Sequence, residues 1–175
     1  MYLFRQRKVL AVALTVVVFA AACGGGVLKS LRLALASSQP LTNSLVASGA
    51  ISSSLATQIV TDFSDGTGCA LTLESEFKAI PKGDPDNKVK KLNASVRAAK
   101  CWRAIVDRQN FGKHPKVQNA ASLVEGIFAS LVVFYSEPGE MRASAEGKES
   151  KPVDEKALEA DLKRRVKELE AAMKP

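Results

Sequence analysis

The 175-residue chain contains little histidine and cysteine, with one His and three Cys. Zinc and iron sites are built largely from these side chains, so their scarcity argues against a catalytic metal centre. The motifs Gly-x-Ser-x-Gly and His-Glu-x-x-His and a phosphate-binding loop are also absent from the sequence. We therefore expect a protein that is not an enzyme and that holds no metal and no cofactor.

Three remaining patterns have only a superficial likeness to functional motifs. Asp-Gly-Thr-Gly at 65–68 is similar to the aspartic-protease motif, but that family is β-rich, whereas the flanking sequence here is helical in pattern. The segment 84–88 lacks the spacing and the closing glutamate of a calcium loop. His114 lies in a loop between Lys113 and Pro115, and nothing in the sequence pairs it with a cysteine nucleophile.

The first 22 residues have the organisation of an export signal. Residues 1–8 carry three bases and no acid, and an apolar stretch of 14 residues follows up to Ala22. A helix that spans a bilayer needs about 20 apolar residues. A removable signal therefore fits this stretch better than a permanent span.

Ala20-Ala21-Ala22-Cys23 resembles the lipobox of bacterial lipoproteins, with alanine at position 20 where leucine is commonest. The resemblance implies cleavage before Cys23 and lipidation of that cysteine, with acyl chains such as palmitate anchoring the protein to a membrane. In such lipoproteins an aspartate after the cysteine is the usual retention signal, and here Gly24 follows instead. The resemblance therefore also implies delivery to the outer membrane, facing the periplasm, in a two-membrane bacterium. Residues 23–26 would then be the lipidated cysteine and a glycine tether. The alternatives are an ordinary secretory signal and an uncleaved anchor.

Apolar residues after the tether recur at helical spacing and predict an all-α fold. We expect a small helical bundle of about four main helices over residues 27–136, with Ser52–Ser54 supplying N-cap candidates. The glycines at 65–68 predict a break or a kink. Residues 130–135 also suit a strand, but the helical spacing that leads in from Val117 favours a helix.

The end of the chain changes in character. Residues 137–153 form a polar linker, and Asp154 can cap a C-terminal amphipathic helix over 154–173. This helix could dock on its own domain, pair with another copy as a short coiled coil, or bind a partner protein's groove. Its apolar stripe is Leu158, Leu162, Val166 and Leu169, continued by Met173.

Two cysteines, Cys69 and Cys101, remain once Cys23 is assigned to lipidation. An exported protein enters an oxidising compartment, where such a pair can form a disulfide. The sequence thus predicts a Cys69–Cys101 disulfide, with two buried free thiols as the alternative.

A strongly basic segment lies at 88–116, where nine bases accompany a single acid, Asp107. Without the signal's three bases, 22 bases and 18 acids give the rest of the chain a net charge of +4, so acids elsewhere must offset this segment. It could contact an anionic envelope surface such as lipid headgroups, or be a solvated helix face. The candidate contacts are Lys88, Lys90, Lys91, Arg97, Lys100 and Arg103. Nucleic acid is not an expected partner, because Trp102 is the only interleaved aromatic residue on the predicted helix.

These patterns lead to a non-catalytic structural or interaction role at the envelope. The alternative is a small-ligand or lipid-binding helical module with a pocket among Phe77, Trp102, Phe128 and Phe134. A carboxylate-based enzyme would depend on Glu74, Glu76 and Glu125, whose spacing supports no such site.

Overall fold

The computed structural model describes residues 26–136 and 155–175, which form a bundle of α-helices without a β-strand. The predicted all-α class is confirmed. Cys23, the linker 137–153 and the predicted cap Asp154 lie outside the described residues. The helices are α1 Gly26–Ala36, α2 Gln39–Ala47, α3 Ser53–Ala79, α4 Asn87–Val106, α5 Pro115–Ser136 and α6 Glu155–Ala172, with a 3-10 turn at Phe111–Lys113.

Local sequence signals account for several helix boundaries. The hydroxyl of Ser52 caps α3 by accepting a hydrogen bond of 3.2 Å from the backbone N–H of Leu55. Gly49 has a positive φ of 71°, which suits the turn after α2 because glycine has no Cβ. Pro115 is the first residue of α5, where its missing N–H costs no helical hydrogen bond.

The three long helices α3, α4 and α5 pack side by side, with α4 in contact with both of the others. Short connections reverse the chain after α3 and after α4, so successive long helices are antiparallel. α1 packs on α3, and α6 packs on α5 and α1. The core therefore lies between the long helices and is covered by α1 and α6.

The predicted break at 65–68 is wrong, because α3 is one helix from Ser53 to Ala79. Gly66 instead receives the ring of Trp102 from α4. A Cβ built on Gly66 would lie 2.5 Å from Cζ3 of Trp102, closer than side-chain atoms can approach. The glycine thus provides room for an indole that is only 1% exposed.

Rings and a disulfide hold this α3–α4 contact together. Trp102 stacks on Phe111 with ring centroids 5.4 Å apart, and Phe63 contacts both rings. The predicted Cys69–Cys101 disulfide is confirmed and lies beside the indole, with the two Cα atoms 5.9 Å apart. The α3–α4 contact therefore combines tight packing with a covalent crosslink.

The apolar stripe of the C-terminal helix is used within the chain. Leu162, Val166, Leu169 and Met173 are all buried, and Leu158 packs partly against the same core. Their neighbours belong to α5 and α1. Of the three arrangements that the sequence leaves open for this helix, the structure has it docked on its own domain.

Replacing Gly66 with alanine tests the close approach of the two helices. We expect Gly66→Ala to lower the free energy of unfolding by about 1–3 kcal/mol, because the added methyl group overlaps the fixed indole. Gly68→Ala is the matched control, since a Cβ there meets no atom within 4 Å. It should raise stability by about 0.5–1 kcal/mol through helix propensity. Equal effects in urea denaturation would contradict this packing role.

Reducing the disulfide should also destabilise the fold. The bridge closes a loop with a sequence separation of 32 residues. A loop of this length restricts the unfolded chain enough to contribute about 3–4 kcal/mol. We expect guanidinium denaturation in the presence of a reductant to have a clearly lower midpoint, and an unchanged midpoint would show that the bridge adds no stability.

Candidate functional site

Most of the predicted basic contact residues are paired with acids of neighbouring elements. Arg97 of α4 donates two hydrogen bonds to Glu76 of α3, at 3.1 and 2.8 Å. Lys91 donates to Glu155 of α6 at 3.3 Å, and Arg103 Nη1 lies 3.4 Å from Glu125 of α5. The bases of α4 thus meet acids on three other helices.

The remaining members of the set differ in their surroundings. Lys90 donates to Asp84 at 2.5 Å, which raises the pKa of Lys90 and lowers the pKa of Asp84. Lys88 also makes an interaction. Lys100 is exposed and has no ion pair within the described part of the chain. The six residues are spread along the helix and around it, so the structure does not bring them together into one uniform basic patch.

A buried acid ties the end of α4 to α3. The side chain of Asp62 is 3% exposed and accepts hydrogen bonds from Arg108 Nη1 at 2.9 Å and Asn110 Nδ2 at 2.8 Å. Asp65 also accepts from Arg108, and the two carboxylates raise the pKa of its guanidinium. Paired in this way, Asp62 positions the chain between α4 and α5, a role that its sequence context did not indicate.

The four aromatic residues of the predicted pocket lie in two separate places. The prediction that they line one common pocket is therefore wrong. Trp102 and Phe128 are core residues beside a groove of about 260 Å³ between α4 and α5. Phe77 and Phe134 instead contact Tyr135, with ring centroids 5.7 and 4.9 Å away. Helical spacing alone could not show which end of the bundle each ring occupies.

A larger cavity of about 540 Å³ opens at the end of the bundle where α3 and α5 finish and α1, α4 and α6 begin. Small-molecule sites in proteins usually have about 300–1,000 Å³ and mostly apolar walls. The apolar part of this lining includes Leu28, Phe77, Leu131, Leu158 and Leu162. We take this terminal cavity as the candidate functional site.

Glu74 lies in the wall of the terminal cavity and is held by two cations. Its side chain is 7% exposed; Oε1 accepts a hydrogen bond of 2.6 Å from Lys78, and Oε2 lies 3.7 Å from Arg32 Nη1 of α1. Oε2 is buried without a hydrogen bond. Burying a carboxylate costs free energy unless a positive charge lies nearby. Lys78 and Arg32 offset this cost for Glu74.

Tyr135 contributes a hydroxyl group to the wall of the terminal cavity. The residue is 8% exposed, and within the described residues its hydroxyl has no hydrogen-bond partner. Lys91 Nζ lies 5.5 Å from the centre of its ring. Burial, together with the charge of Glu155, raises the pKa of Tyr135 to about 12. The phenol therefore keeps its proton at neutral pH and can donate a hydrogen bond to a ligand.

The described residues also bear on metal binding and on membrane insertion. No group of three or more His, Cys, Asp or Glu side chains is arranged there to hold a metal ion. α5 is long and apolar enough to cross a membrane, but the core helix of a bundle meets the same criterion. Its buried residues face the domain core.

Comparison with known proteins finds that the chain matches no family model, no curated protein and no solved structure.

The buried phenol predicts a pH dependence at the alkaline end. Tyrosine in an unfolded chain has a pKa of about 10. Because the folded pKa is raised to about 12, the stabilisation is complete below pH 10 and is lost as the pH rises towards 12. Tyr2 is the only other tyrosine and lies in the predicted signal, so phenolate absorbance of the chain from Cys23 onward reports Tyr135 alone. The same titration in denaturant is the control, and a folded midpoint near 10 would contradict this environment.

Proposed function

We propose that this protein is a membrane-anchored lipoprotein of the bacterial envelope with a non-catalytic structural or interaction role. The observation that carries the proposal is Cys23, directly preceded by three alanines and followed by three glycines. The Cys69–Cys101 disulfide supports export, because disulfides persist in oxidising compartments. Each buried acyl CH₂ contributes about 0.8 kcal/mol to membrane binding, so several chains on Cys23 hold the domain there lastingly.

The tether determines which end of the domain is nearest the membrane. α1 begins at Gly26, and Val27 already belongs to the wall of the terminal cavity. The three residues from Cys23 to Gly25 reach at most about 11 Å when extended, so that end of the bundle stays close to the lipid anchor. Lys88, Lys90 and Lys91, in the first two turns of α4, lie at the same end and are the members of the basic segment nearest the anchor, where anionic headgroups would be.

The opposite end of the bundle is a full helix length away. α4 has 20 residues, which corresponds to about 30 Å. Lys113 and Lys116 lie beyond its far end and would face away from the anchoring membrane. An interaction role with a partner or an envelope polymer is therefore best sought at that end, and headgroup contact at the cavity end.

A second candidate function is ligand or lipid binding in the terminal cavity. It is supported by a volume of about 540 Å³, a partly apolar lining and the hydroxyl of Tyr135, which has no hydrogen-bond partner among the described residues. The two proposals are compatible, since an anchored domain can also carry a binding site.

Mass spectrometry of the native protein tests the anchor. We expect the N-terminal peptide to begin at Cys23 and to carry acyl chains, because the sequence before Cys23 resembles a lipobox. Cys23→Ser should move the protein out of the membrane fraction or leave residues 1–22 attached. The double variant Cys69→Ser and Cys101→Ser is the matched control and should stay with the membrane. An unmodified Cys23 in the native protein would overturn the proposal.

A further inference from the structure

Bases already engage the three acids of the terminal cavity. Glu74 Oε1 accepts from Lys78, its Oε2 lies 3.7 Å from Arg32 Nη1 without a hydrogen bond, and Glu159 accepts from Lys163 at 2.7 Å. Glu155 is paired with Lys91. A cationic ligand would therefore compete with existing ion pairs for every carboxylate of the lining.

Tyr135 and Lys82 each supply a hydrogen-bond donor at the mouth. The hydroxyl of Tyr135 has no hydrogen-bond partner among the described residues, and its residue is more than nine-tenths buried. Lys82, in the turn after α3, lines the same mouth, is exposed and has no ion pair within that part of the chain. Both groups favour a ligand that presents a hydrogen-bond acceptor with negative charge.

The inner part of the cavity suits an apolar chain. Phe77, Leu131 and Leu162 line it from three different helices, and Leu28 and Leu158 complete the wall. Burying methylene groups among these side chains contributes binding energy in proportion to the area removed from water. The ligand is thus expected to be apolar at one end and acidic at the other.

We propose that the terminal cavity binds a single-chain anionic amphiphile, with its acyl chain among these apolar residues and its acidic head between the Tyr135 hydroxyl and Lys82. This deepens the second candidate function and rests on it. A fatty-acid carboxylate and the phosphate of a lysophospholipid share this chemistry. The membrane beside the anchor would be the nearest source of either molecule.

Isothermal titration calorimetry with three probes of known chemistry tests the proposal. The protein is the mature chain, residues 23–175, with Cys23→Ser so that no detergent competes; its helical content and closed disulfide are first matched to those of the native protein. We expect laurate to bind at one per chain and about tenfold more tightly than dodecanol, which lacks the charge. Lysophosphatidic acid is the third probe, and its affinity relative to laurate identifies the preferred head.

Two variants locate the ligand. Tyr135→Phe keeps the ring and should weaken laurate about tenfold and dodecanol clearly less, because the lost hydrogen bond is stronger to a charged acceptor than to an alcohol oxygen. Leu158→Trp fills the partly exposed side of the cavity and should weaken all three probes. Lys113→Gln, at the other end of the bundle, is the matched control and should change nothing.

Each other outcome overturns the proposal. If no probe binds saturably, the terminal cavity is not an amphiphile site. Equal affinity for laurate and dodecanol, unaffected by Tyr135→Phe, removes the acidic head from the proposal. Binding that Leu158→Trp leaves unchanged would place the ligand elsewhere. None of these results bears on acylation of Cys23, so a failure here is distinguishable from a failure of the lipoprotein proposal.

Discussion

The contact between α3 and α4 is the constraint on which the rest of the bundle depends. The indole of Trp102 packs against the backbone of Gly66, which has no side chain. The Cys69–Cys101 disulfide links the two helices close to this contact. With these helices held in register, α5 can pack on the other side of α4 and α1 on α3. The terminal cavity then arises where the helix ends meet, because the α3–α4 contact sets where α3 finishes and α4 begins.

Ion pairs and hydrogen bonds of buried acids also connect α3 to neighbouring segments of the chain. Asp62 holds the chain after α4 through Arg108 and Asn110, and Glu74 joins α3 to α1 through Arg32. Exposed ion pairs contribute about 0–1 kcal/mol each, whereas a buried carboxylate that loses its partner is strongly destabilising. The exposed ion pairs along α4 therefore add little stability. Their main effect is to favour the helices that carry the matching acids as the neighbours of α4. Through these pairs, Lys90, Lys91, Arg97 and Arg103 of the basic segment each meet an acid of a neighbouring element.

Helical pattern and caps were predictable from the sequence because they depend on neighbours three or four residues away. The spacing of apolar residues predicted the all-α class, and Ser52 was among the predicted caps of α3. The disulfide was predictable from export chemistry and the number of cysteines. The glycines at 65–68 led to the wrong prediction of a break in α3, because glycine is unfavourable within a helix. The reason for Gly66, the Trp102 ring that packs on it, is visible only in the tertiary structure. The pocket residues were likewise misassigned, because periodicity does not report the end of the bundle at which a side chain lies.

The sequence by itself determined that the chain folds into helices, where α3 begins, the approximate extent of the C-terminal helix, and that Cys69 and Cys101 are available to pair. These properties follow from short-range backbone and side-chain preferences. Only the tertiary structure decided that α3 continues through Gly66, that α6 docks on its own domain, and that the bases of α4 meet acids from three other helices. It also decided the position of the terminal cavity. These outcomes depend on contacts between residues far apart in the chain, which no local pattern records.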